Sequence, residues 1–73
     1  MKDTEINLTW ASLPDILTAQ HIAKFLGISR RRIYELFQLN SASGGIPNFT
    51  IGASKRVLKS DLKLWIENKV KES

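Results

Sequence analysis

Residues 18–39 read TAQHIAKFLGISRRRIYELFQL, two short amphipathic patterns separated by a single glycine. Thr18 stands in N-cap position before AQHIAKFL, and Ile22, Phe25 and Leu26 fall on one face at helical spacing. Gly27 supplies the residue able to take the positive φ that ends such a helix. Ile28 follows as an expected buried turn residue. Ser29 is a second N-cap, and RRRIYELFQL after it places Ile33, Leu36 and Phe37 on a new apolar face. Ala23 is the small residue that lets the first helix cross the second. With Ile22, Leu26, Ile28, Ile33 and Leu36 as anchors in one register, the pattern predicts a tight helix-turn-helix.

The flanks supply less regular signals. Leu8, Trp10, Leu13 and Ile16 fit no single period, and Pro14 interrupts a helix there. Residues 1–17 therefore read as an irregular leader, with a short helical turn near 12–17 that packs Trp10 or Leu13 onto the rest. After Leu39, NSASGG reads as a loop. Phe49-Thr50-Ile51 alternates like a strand, Gly52-Ala53-Ser54 turns, and Lys55-Arg56-Val57-Leu58 returns. Ser60 then caps DLKLWIENKV, whose inward stripe is Leu62, Trp65 and Ile66. The expected architecture is mainly α with a small β-hairpin wing, a winged helix-turn-helix spanning residues 18–70.

Charge is uneven along the chain. Residues 1–21 hold one base and three acids, whereas residues 22–73 hold ten bases and four acids, giving −2 and +6. A basic region on a slightly acidic leader suits a polyanion-binding surface. On a helical wheel for the second helix, Arg31, Glu35 and Gln38 point away from the apolar face. Arg30 and Tyr34 flank one side of that outward face and Arg32 the other. A helix of this kind fits a DNA major groove, with its centre reading base edges and its shoulders gripping phosphates. Arg31 is the best-placed residue for a bidentate guanine contact; the plain alternative is that Arg31 and Glu35 only pair at i, i+4. Three arginines at a helix N-terminus oppose the helix dipole, which weighs against that alternative. Lys55 and Arg56 lie just past the hairpin turn, where a wing reaches a minor groove or backbone.

Other chemistries find little support. The chain of 73 residues has no cysteine, which excludes disulfides and thiolate zinc sites. His21 is the single histidine and reads as a solvent-facing residue with no second metal ligand near it. No catalytic triad, carboxylate pair or phosphate-cradling glycine loop has supporting context, and Ser43-Gly44-Gly45 is a plain loop. The expectation is a binding protein with no catalytic role, no metal and no cofactor. No apolar run reaches membrane-spanning length and the first residues are polar, so a cytoplasmic, nucleoid-associated protein is expected.

The runs LTAQHIAKFLGISRRRIYELF, IPNFTIG and KRVLKSDLKLWIE together resemble the excisionase-like winged helix-turn-helix domains related to the MerR DNA-binding fold. The likeness covers about residues 17–68 and rests on Ala23, Leu26-Gly27-Ile28-Ser29, Ile33-Tyr34, Ile46-Pro47, Gly52, Arg56, Asp61-Leu62 and Trp65. It implies a second helix in the major groove, a wing at the minor groove, and DNA contacts by Ser29, Arg30, Arg31, Tyr34 and Arg56. Arg32 departs from the small polar residue usual there, and NSASGG is longer than the usual link. The implied role is that of an excisionase, which bends attachment-site DNA and steers integrase towards excision. A small prophage-type transcriptional regulator shares the same domain, and an adaptor using its basic face on an acidic protein is the reading from outside DNA binding. On the last helix Leu64 lies about 200° around from Leu62, a candidate contact for integrase or for further copies of the chain on DNA.

Overall fold

The structure, a computed structural model, describes residues 9–72. Strand β1 (Ile16–Leu17) leads into helices α1 (Ala19–Leu26) and α2 (Arg30–Gln38). Strands β2 (Phe49–Ile51) and β3 (Ser54–Leu58) then run directly into helix α3 (Lys59–Glu72). Short 3-10 turns occupy Trp10–Ser12 and Ser41–Ser43. The sheet is antiparallel with order β1-β3-β2, so the hairpin expected from the sequence gains a third strand. This is a winged helix-turn-helix, mainly helical. Among the described residues no helix is long and apolar enough to cross a membrane.

The helix-turn-helix forms as its punctuation requires. Thr18 Oγ1 accepts the His21 N–H at 3.2 Å, and Ser29 Oγ accepts the Arg32 N–H at 3.1 Å, so each helix starts on a side-chain cap. Gly27 takes φ +73° and donates its N–H to the Ala23 carbonyl at 2.8 Å. A side chain there would meet no atom, so backbone conformation alone demands glycine. Ile28 departs from expectation: it is 38% exposed. It borders an apolar groove with Leu26, Trp65 and Val70 instead of entering the core.

The largest fully buried side chains are Leu17, Ile22, Ile33, Ile46, Val57 and Leu62. They come from β1, α1, α2, the α2–β2 connection, β3 and α3 in turn. Each contributes about 1.5–3 kcal/mol by leaving water. Leu13 is buried and Trp10 packs beside the core as expected, but the structure between them differs from the expected turn. The helical turn sits earlier, at Trp10–Ser12, and Ile16–Leu17 pairs with Leu58 and Val57. Residues 1–8 of the expected leader lie outside the described residues. Ser60 is no cap either, because α3 begins at Lys59. The Lys59 N–H is already taken by the Asp15 carbonyl at 2.8 Å.

The segment NSASGG is more ordered than a plain loop. Asn40 Oδ1 accepts the Ser43 N–H at 2.8 Å, capping the 3-10 turn, and the Ile46 N–H reaches back to the Leu36 carbonyl at 3.1 Å. Asn48 Nδ2 donates to the carbonyls of Phe37 and Ile46 at 3.0 and 2.8 Å. These bonds clamp the connection onto the last turn of α2, which fixes the wing relative to that helix. A Cβ on Gly45 would overlap the Leu39 carbonyl oxygen and crowd that of Leu36. Overpacking against backbone that cannot move away costs about 3 kcal/mol, whereas left-handed strain alone costs about 1 kcal/mol. Gly45→Ala is therefore expected to destabilise the fold by about 3 kcal/mol and Gly27→Ala by about 1 kcal/mol. Urea unfolding measures both, and equal losses would show that the connection yields around residue 45.

Candidate nucleic-acid interface

Helix α2 buries Ile33 and Phe37 and leaves its other faces to solvent. The Arg31 side chain is 91% exposed, against 64% for Arg32, in the outward position the wheel gave it. Arg30, Arg32, Tyr34, Glu35 and Gln38 are exposed as well. Tyr34 meets Phe37 edge-on at 5.9 Å between ring centroids, which steadies its phenol beside the arginines. Glu35 Oε1 lies 3.1 Å from Arg32 Nη1, and Oε2 lies 4.0 Å from Arg31 Nε. The closer partner of Glu35 is thus Arg32, not Arg31. Such exposed pairs contribute little stability, and at 4.0 Å the contact to Arg31 leaves that guanidinium nearly unengaged. The Ser29 hydroxyl accepts from Arg32 and keeps its own O–H available to donate.

The wing stands next to this helix. In register, Phe49 pairs with Arg56, Thr50 with Lys55 and Ile51 with Ser54, and the two-residue turn between strands is Gly52-Ala53. Arg56 Nη1 donates to the Lys55 carbonyl at 2.9 Å, which lays its guanidinium along the strand. A polar concavity of about 280 Å³ separates wing from helices. Arg30 and Tyr34 wall it from α2, Ser54, Lys55 and Arg56 from the wing, and Thr18 and Gln20 from the start of α1. The structure therefore brings Arg30, Tyr34, Lys55 and Arg56 around one depression, with Arg31, Arg32, Glu35 and Gln38 on the adjoining helix surface. Leu64 lies apart: it is 59% exposed on α3 and borders a shallow depression with Ser41 and Pro47.

The exposed arginines of α2 and the bases of the wing thus stand on either side of one polar hollow. The chain carries the helix-turn-helix domain over residues 16–70, most of its length. It belongs to the excisionase-like helix-turn-helix family. Membership makes it a DNA-binding helix-turn-helix protein, with DNA as its partner. No curated protein and no solved structure matches it significantly. The matched span begins with β1, two residues before the boundary expected at residue 18.

Two features of this helix-turn-helix surface escaped the sequence reading. The start of α1 joins the hollow through Thr18 and Gln20, and the cap at Thr18 was the available signal, since a helix N-terminus presents N–H groups to anions. His21 is not a solvent-facing bystander. Its Nδ1 accepts the Thr18 N–H at 3.0 Å while Thr18 Oγ1 accepts the His21 N–H, a reciprocal capping box with histidine in the place usual for Glu or Gln. His21→Gln is expected to keep most of the stability, whereas His21→Ala loses about 1 kcal/mol. Thermal unfolding of both variants checks this, and equal stability would mean the Nδ1 contact is idle.

Proposed function

We propose that the protein is an excisionase, a recombination directionality factor of a mobile element. It binds attachment-site DNA in several adjacent copies, bends it, and steers integrase towards excision without any catalytic step of its own. The observation that carries the DNA docking is the single surface formed by α2, the hollow and the wing. In this reading α2 lies in the major groove, with residues 18–70 and the preceding strand as the binding unit, acting on nucleoid DNA in the cytoplasm. Arg31 takes a guanine edge through its two-pronged guanidinium, flanked by Glu35 and Gln38 on the reading face. Ser29, Arg30, Arg32 and Tyr34 hold phosphates on its shoulders. Lys55 and Arg56 hold the neighbouring minor groove, where negative potential is enhanced when the groove is narrow. Leu64, exposed on the far helix, is where a neighbouring copy or integrase bears.

The deciding experiment for the recombination role is excisive recombination in vitro by the integrase of the same element, with and without this chain. Stimulated excision supports the proposal. Protection and bending of DNA with no effect on recombination would make the protein a transcriptional regulator instead, and no affinity for duplex DNA would leave an adaptor.

Two outcomes follow for the DNA itself. With about four to six phosphates contacted, log K is expected to fall against log salt at a slope of about −4 to −5. Reversing the charge of Lys55 and Arg56 is expected to flatten that slope while base preference persists. Arg31→Ala is expected to cost about 1–3 kcal/mol on the preferred site and to relax choice at one base pair. Equal weakening on every sequence would place Arg31 on a phosphate.

A further inference from the structure

The end of the wing has an unusual composition for an exposed hairpin. Its four last residues are Ile51, Gly52, Ala53 and Ser54, all exposed, none charged, and three with side chains no larger than a hydroxymethyl. Ile51 is the one large side chain among them, and it is 58% exposed. Hairpin ends ordinarily carry polar turn residues. Two other exposed isoleucines have apolar neighbours: Ile16 faces Leu58 across the sheet, and Ile28 borders the groove beside Trp65. Opposite Ile51 stands only Ser54, and Ser54 lines the same hollow as Arg30 and Tyr34. The cations begin one rung further back, with Lys55 opposite Thr50 and Arg56 opposite Phe49.

We infer that Ile51 is an apolar wedge that enters the minor groove at a base step and partly unstacks it, kinking the duplex under the wing. The inference rests on the docking proposed above and adds the residue that deforms the DNA. A minor groove is about 6 Å wide, and a tip of glycine, alanine and serine brings little side-chain bulk into it beside Ile51. Lys55 and Arg56 stand one and two rungs behind the tip, within reach of phosphates that flank a groove under it. Isoleucine belongs to the small group of side chains that wedge between bases, and such wedges bend DNA by about 20–90° towards the major groove. The arrangement also creates specificity without a hydrogen bond. TA and CA steps unstack most readily, so the wing selects a pyrimidine–purine step beneath Ile51.

The test uses the duplex that the full chain enriches from a random-sequence pool. It is labelled at both ends for energy transfer and substituted with 2-aminopurine at each pyrimidine–purine step in turn. Binding of the unaltered protein is expected to brighten 2-aminopurine at one step on the wing side and to shorten the end-to-end distance. Ile51→Leu keeps both signals. Ile51→Thr, still β-branched but polar, loses most of the brightening and the bend, while the salt slope is unchanged because no charge is altered. Thermal unfolding of the variants stays near that of the parent, since the side chain is exposed. The wedge is overturned if the protein binds this duplex with no step brightened, or if Ile51→Thr brightens it equally. If no duplex is enriched at all, the docking itself fails and the wedge falls with it.

Discussion

Five helices and strands and the α2–β2 connection meet through six fully buried side chains, one from each: Leu17, Ile22, Ile33, Ile46, Val57 and Leu62. No element has a core of its own, so none is held in place without the others. A chain this short buries only about 60% of its unfolded surface, and truncating any one of these side chains removes a contact shared by the whole domain. The distance between α2 and the wing is therefore not an independent variable. Ile33 fixes one and Val57 the other against the same neighbours, and the clamp of Asn48 on the Phe37 and Ile46 carbonyls closes the path between them.

The same shared core explains why residues before α1 belong to the domain. Strand β1 covers one edge of β3, and the start of α3 grips the preceding segment. Lys59 donates from its backbone to Asp15, from Nζ to the Leu13 carbonyl at 3.1 Å, and its ammonium stands 5.3 Å from the Trp10 ring centre. Trp10 in turn meets Phe25 of α1 edge-on. One lysine thus ties strand, helix and leading segment together, and its ammonium is held by a ring face and a carbonyl where no carboxylate is needed.

The parts of this fold legible from sequence are those coded by local stereochemistry. Thr18, Gly27 and Ser29 each act on their own few residues, and the structure places caps and a left-handed residue at those positions. The three-residue spread of Ile33, Leu36 and Phe37 set the outward direction of Arg31 for the same reason. What sequence could not reveal depends on distant neighbours. Two residues of strand show no alternation, so β1 becomes visible only once β3 is beside it. Ser60 has the chemistry of a cap, but the Asp15 carbonyl satisfies the first N–H one residue earlier. Ile28 is apolar and follows a tight turn, yet the core is already filled from six other directions. His21 looked isolated because capping boxes are sought with Glu or Gln, although an imidazole nitrogen accepts the same bond.

Electrostatics sets a further condition on α2. Arg30, Arg31 and Arg32 occupy its first turn, where the positive end of the helix dipole disfavours cations, and no acidic residue is present there to compensate. Glu35, one turn on, offsets part of this through Arg32, but an exposed pair contributes little. The helix is instead kept by Ser29 at its start and by Ile33 and Phe37 beneath it, none of which uses the outward face. The residues that hold this helix of nine residues are thereby separate from its exposed, charged face. The inner face and cap hold the helix, so the outer face can carry charges that are unfavourable in the free protein. Phosphates would relieve that repulsion by standing where carboxylates normally would. The arginine cluster weakens the helix slightly in the free protein, and the burial of Ile33 and Phe37 is what makes that tolerable.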